Sequence, residues 1–228
     1  MIATCGDLHG DIDFHTVSNT RMRKRFGVLP NYLIACGDFG VPWSNNPDDP
    51  RDAYLTKWYG DKPYDIIVCP GNHENYNRIS QMPKESYMGG TVRRFSKNIV
   101  FVEKNEILTI EGKVFFFFGG ATSIDKGYRT PYISWWPEED ATYGDHRRAI
   151  DVMADNPIVD YVISHTCPES IVGEFTKGFE GCDDACPTRR VLDYIAHNLN
   201  FSKWYFGHFH RDKSFDKYTC VYREVHQV

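Results

Sequence analysis

The sequence predicts an α/β protein, built on a mixed sheet or on two sheets packed face to face between helices. Three observations carry this. Short apolar runs rich in β-branched and aromatic residues recur along the chain. Most lack a clean in–out alternation, as expected of strands buried on both faces. Segments with helical punctuation separate several of them.

The strand candidates, in order, are Ile2–Cys5, Tyr32–Cys36, Asp65–Cys69, Ile99–Val102, 107–110, 114–118, 161–164 and 204–206, with 218–225 as a closing strand. Residues 97–118 read as consecutive strands turning at Glu111-Gly112. Three helices are expected. Residues 16–26 stop at Gly27 and Pro30, and 145–154 stop before Asn156-Pro157. Residues 187–199 begin with Pro and space Val191, Leu192, Ile195 and Leu199 along one face. The order is β-α-β-α-β, further strands, then β-α-β and a last β element. Two long segments, 40–58 and 119–144, read as irregular, and long loops in compact domains usually serve binding or closure.

At 228 residues, 41% of them hydrophobic, the chain has material for one substantial core and reads as a single domain over 1–228. A net charge of −5 provides no strong positive field, which disfavours a protein that coats nucleic acid. No run is long enough to span a membrane, and the start lacks the basic and apolar regions of a secretory signal. Seven cysteines cannot all pair with one another, so they read as reduced thiols of a cytoplasmic protein. Cys182 and Cys186 have no matching second pair and read as free thiols rather than metal ligands. The basic run Arg21, Arg23, Lys24 and Arg25 reads as a solvated helix end favoured by the helix dipole.

The ends of the strands carry the functional signal. Five of them run into clusters of Asp, Asn and His: Gly6-Asp7-Leu8-His9-Gly10, Gly37-Asp38-Phe39-Gly40, Pro70-Gly71-Asn72-His73-Glu74, Ser164-His165 and Gly207-His208-Phe209-His210. These clusters hold five of the nine histidines. In α/β folds the crevice beyond the carboxyl ends of parallel strands is where ligands bind, and glycines there permit tight turns and close approach. Any one cluster is weak evidence; the ordered set is not.

That set, Gly6-Asp7-x-His9, Gly37-Asp38, Gly71-Asn72-His73-Glu74, His165 and Gly207-His208-x-His210, resembles the calcineurin-like metallophosphoesterase superfamily across residues 6–210. The resemblance implies a four-layer α/β/β/α sandwich, two mixed β-sheets flanked by helices, with metals at one edge. It implies one metal on Asp7, His9, Asp38 and His210, and a second on Asp38, Asn72, His165 and His208, with Asp38 bridging. Such mixed oxygen and imidazole donors suit two transition-metal ions, Mn foremost, with Fe, Zn or Ni as alternatives. The expected activity is hydrolysis of phosphate mono- or diesters by in-line attack of a metal-bridging hydroxide. Asp38 and His73 would be catalytic, with Asn72, His73 and Arg129 contacting the phosphate. Alternatives are a nuclease or cyclic-nucleotide phosphodiesterase, or a catalytically silent protein-binding scaffold; the intact ligand positions and His73 count against the scaffold.

The sequence departs from the serine/threonine phosphatase branch after Gly37-Asp38. Phe39-Gly40-Val41-Pro42 lacks that branch's second carboxylate and its arginine, so the group orienting His73 has to come from elsewhere. Residues 119–139, ending Trp135-Trp136-Pro137-Glu138-Glu139, resemble a segment of bacterial and phage members of uncharacterised activity. Two readings apply. Either Arg129 binds phosphate and Trp135 or Trp136 stacks on an organic group, or Arg129 pairs with Asp125 and the tryptophans pin the loop to the core.

Overall fold

The computed structural model describes residues 1–176 and 186–228, so Cys182 lies outside the described residues. In chain order the elements are β1 (Ile2–Cys5), α1 (Asn19–Phe26), β2 (Tyr32–Cys36), α2 (Pro50–Gly60), β3 (Asp65–Cys69) and α3 (Tyr76–Gln81). Then come β4 (Lys84–Tyr87), β5 (Gly90–Ser96), β6 (Ile99–Val102), β7 (Glu106–Ile110) and β8 (Lys113–Phe118). The remainder holds α4 (Tyr143–Asp155), β9 (Ile158–Ser164), α5 (Val172–Thr176), α6 (Pro187–Asn198), β10 (Asn200–Phe206), β11 (Lys213–Phe215), β12 (Tyr218–Cys220) and β13 (His226–Gln227).

They form two mixed sheets, ordered β13-β1-β2-β3-β6-β5-β4 and β11-β12-β10-β9-β8-β7. Strands β1, β2, β3 and β6 are parallel neighbours in the first, and β8, β9, β10 and β12 in the second. The missing alternation in the sequence has its cause here, because alternate residues of one strand enter different cores. Leu33 and Ala35 of β2 pack with Met22, Leu55 and Ile79 of α1, α2 and α3. Ile34 and Cys36 turn inward to meet Phe115, Phe117 and Ile163 of the other sheet. Phe116 and Phe118 turn outward to Ala149, Leu192 and Ile195 of α4 and α6. Three apolar layers between helix, sheet, sheet and helix are the expected four-layer sandwich.

Several boundaries differ from expectation. The helix expected over 16–26 splits into a 3-10 turn (Phe14–Val17) and α1, because Ser18 is extended and its hydroxyl caps Arg21 N. Residues 40–58 are not irregular throughout: Asp49 accepts from Arg51 N and Asp52 N, with Pro50 at the first helical position, and starts α2. The closing strand is shorter, β12 ending at Cys220. Strands β4 and β5 are not evident in the sequence: β4 is the charged edge strand, and β5 beside it buries only Gly90 and Val92. The basic run ends α1 as expected, before Gly27 in the left-handed conformation. None of the six described cysteines is disulfide-bonded, and all six are buried.

Candidate metal centre

All five polar clusters meet at one edge of the sandwich. Asp7 and His9 follow β1, Asp38 follows β2, and Asn72 and His73 follow β3, all from the first sheet. His165 follows β9, and His208 and His210 follow β10, from the second. Hydrogen bonds across the seam hold the two sets together: His208 N donates to both carboxylate oxygens of Asp7 at 3.0 Å, and His165 Nδ1 donates to Cys36 O at 2.9 Å. That second bond leaves His165 Nε2 facing the site.

The backbone bends sharply to present these groups. Asp7, His9, Asp38, His208 and His210 all have positive φ, a conformation costing of order 1–2 kcal/mol for a residue with a side chain. Two glycines are required by close approach. A Cβ at Gly37 would collide with the His165 ring, and one at Gly71 with the Asp38 carboxylate.

Two nests of donor atoms result. In one, His9 Nε2 and His210 Nε2 stand 2.9 Å apart, with Asp7 Oδ1 3.7 Å from His210 and Asp38 Oδ2 3.9 Å from His9. In the other, Asn72 Oδ1 lies 2.8 Å from His165 Nε2 and 3.1 Å from His208 Nδ1, and Asp38 Oδ1 lies 3.2 Å from His165 Nε2. Asp38 therefore reaches one nest with each oxygen.

The residues fit metal ions on the chemistry of the donors. Adjacent ligands about 2.1 Å from one ion stand about 3 Å apart, the separation seen within both nests. Grouped atoms of Asp7, His9 and His210 lie within 4.8 Å of one another, as do those of Asp7, Asp38 and His165. Asp7 and Asp38 are both buried, and buried carboxylates this close require compensating positive charge. Burial pushes the Asp7 carboxyl up, with Asp38 adding to it. Burial also acts on Asp38, but His165, His73 and His9 outweigh it and hold that carboxyl well below its usual range. Burial pushes His9 down to about 4 and His208 down to about 3, leaving neutral imidazoles with free lone pairs. His165 goes the other way, to about 10: burial lowers it, but Asp38 and Asp7 win, which marks the spot where positive charge is wanted.

Three supporting residues escaped the sequence reading. Glu74 caps the Asp38 turn. Its Oε1 accepts from Phe39 N at 2.6 Å and Gly40 N at 3.1 Å, and its Oε2 accepts from Asp38 N and Gly71 N. Ser123 Oγ accepts from Asn72 Nδ2 at 3.0 Å and donates to Glu139 Oε2 at 2.8 Å, so the amide oxygen of Asn72 is turned to the histidines. Glu139 is fully buried and also accepts from Ser123 N and Trp135 Nε1. Membership of the quoted motifs was the sole sequence signal for Glu74 and Glu139.

His73 N donates to Asp38 Oδ1 at 2.8 Å, and its ring turns away from that nest toward Arg129. Strand β8 runs parallel to β9, so the loop after it starts at the same edge and Arg129 reaches the site. Arg129 Nη2 lies 2.9 Å from His73 Nε2 and 2.8 Å from Asp125 Oδ2. The expected Asp125–Arg129 pair is present, and Arg129 also stands at the rim of the site beside His73. Trp136 is fully buried, which closes it to stacking on a ligand, and Trp135 is tied to Glu139.

Fold and site together define a class, and comparison with known proteins agrees. The family model for calcineurin-like phosphoesterases matches residues 1–212, and the chain belongs to that family of metal-dependent phosphoester hydrolases. A lariat debranching enzyme of Gallus gallus is 26% identical over 190 residues, covering 75% of this chain. The chain spans about a third (33%) of that relative's length. A crystal structure of phosphopantetheinyl hydrolase from Mycobacterium tuberculosis is 15% identical, with a TM-score of 0.42 over 97% of this chain and 89% of that one. No helix of the described residues is long and apolar enough to cross a membrane.

Proposed function

We propose that this chain, a single domain over 1–228, hydrolyses phosphate esters at two transition-metal ions. Asp7, His9, Asp38 and His210 would hold one ion, and Asp38, Asn72, His165 and His208 the other, with Mn preferred and Fe, Zn or Ni as alternatives. The observation that carries this reading is Asp38, whose two oxygens point to different donor nests. Bound there, the ions would supply Lewis acidity toward the phosphoryl oxygens and acidify a water.

The protein's own groups do the rest. Asn72 turns its amide oxygen inward because Ser123 holds the amide nitrogen. Arg129, beside His73, turns its guanidinium to the phosphoryl oxygens when ester binds. His73, released from Arg129 and with its proton moved from Nδ1 to Nε2, meets the leaving oxygen as proton donor or charge-stabilising donor. The buried thiols support a reducing, cytoplasmic setting.

The match to a lariat debranching enzyme supports a second reading, a nucleic-acid diester as substrate. The net charge of −5 counts against a long polyanion. Assay with Mn against p-nitrophenyl phosphate and bis(p-nitrophenyl) phosphate, with metal analysis of the same sample, tests the reading. Turnover of either with two ions per chain is expected; two bound ions with no turnover would point to a scaffold.

A further inference from the structure

Two cavities open on His73, one on each side. The first, about 340 Å³, contains Asp38, Asn72, Ile124, Arg129 and His208 in its wall. The second, about 260 Å³, is lined by His9, Ile12, Gly40, Trp43, Arg51 and His73. They converge where His9 Nε2 and His210 Nε2 stand 2.9 Å apart.

The two walls match in kind. Each has an isoleucine that no core claims: Ile124 is 63% exposed and Ile12 71%. Each has an arginine whose charge an aspartate already balances, Arg129 Nη2 to Asp125 at 2.8 Å and Arg51 Nη2 to Asp11 at 2.8 Å. A guanidinium so matched keeps a flat face for stacking. The second cavity adds the half-buried Trp43, whose indole lies at 27° to the His73 ring with centroids 6.3 Å apart. A monoester has one organic group and needs one such cavity. A diester has two, and here a second groove, walled by Ile12 and Trp43, opens beside the cavity that holds the donor nests.

We propose that the Ile12–Trp43–Arg51 groove receives the second organic arm of a phosphodiester, and that this arm is a planar aromatic group of the nucleobase kind. The inference rests on the phosphoesterase reading above and narrows it to diesters. Aromatic side chains serve as stacking platforms for any base face, which suits an indole beside the reacting phosphate.

The Mn-loaded chain is assayed with bis(p-nitrophenyl) phosphate and p-nitrophenyl phosphate. The diester is expected to be favoured at least tenfold in kcat/KM. Ile12→Ser and Trp43→Ala should each lower the diester-to-monoester ratio about tenfold, mainly through KM, with Trp43→Phe restoring most of it. Ile12→Ser touches no core, so it remains informative if Trp43→Ala misfolds. Calorimetric binding of the bis-ester to the metal-free chain is the second readout, and both variants should weaken it. Preference for the monoester, an unchanged ratio in the variants, or no bis-ester binding would overturn the proposal. No turnover of either ester would instead sink the phosphoesterase reading beneath it.

Discussion

Arg129 Nη2 lies 2.9 Å from His73 Nε2. A guanidinium has no acceptor atom and keeps its protons, so Arg129 donates and His73 accepts. The proton of neutral His73 then sits on Nδ1. In the protein-phosphatase branch a carboxylate would orient this histidine; here a cation does. Burial pushes the His73 imidazole below its ordinary value, and Arg129 adds to the shift against the pull of Asp38.

His73→Ala should lower kcat by roughly 100- to 10,000-fold at saturating Mn, the usual span for a lost acid–base group. Metal content should be unchanged, because its ring faces Arg129. Full activity at normal metal content would remove His73 from the chemistry.

Arg129→Ala should lower kcat/KM by roughly 10- to 100-fold, the worth of one charged hydrogen bond of about 1.5–3 kcal/mol. Arg129→Lys should recover little, since an ammonium cannot pair two phosphoryl oxygens with one planar fork. Steady-state kinetics on both variants checks this, and recovery by Lys would reduce Arg129 to a point charge.

Ser123→Ala frees the amide nitrogen of Asn72, which is then able to swing into the donor nest in place of its oxygen. Metal affinity should fall roughly 10- to 100-fold, as for other groups that orient a ligand from behind. Titration of the apo protein with Mn, without substrate, reads it directly. Unchanged affinity would show that Asn72 holds its orientation unaided.

Burial pushes Glu139 up to about 7 from an ordinary 4.5, against hydrogen bonds from Ser123 and Trp135 that lower it. The folded chain therefore binds this proton more tightly than the unfolded chain. Its contribution to stability is full below about pH 4.5 and is lost as pH rises through about 7. Neighbouring Asp140 pushes the same way. In urea unfolding of the metal-free protein, the stability difference between wild type and Glu139→Gln should shrink from pH 5 to pH 8. A difference that grows would contradict the assignment.

Metal removal should destabilise the fold, because Asp7 and Asp38 then face each other buried and uncompensated. Mn at 100 times its Kd should add about 2.7 kcal/mol per bound ion relative to a chelated sample. Thermal melts with and without EDTA measure this, and identical Tm values would argue against a cation site there.

The donor residues were legible because each follows a strand, and the strands were legible because burial on both faces forces near-continuous apolar runs such as Tyr32–Cys36 and Asp65–Cys69. Strands β4 and β5 were not, since an edge strand such as β4 can carry charge and its neighbour β5 buries only its first residues, so the apolar signal fades. Helix α2 hid among Asn, Asp and Pro residues whose capping role appears only once the chain turns at Asp49.

Composition and local order thus determined the α/β class, the strand ends and the polar clusters that follow them, because these depend on neighbours in the chain. Tertiary structure alone decided which sheet supplies each donor, that Ser123 and Glu139 hold Asn72 from behind, and that Arg129 stands beside His73. Those are relations between residues far apart in sequence, set by how two twisted sheets pack and where the loop after Phe118 emerges.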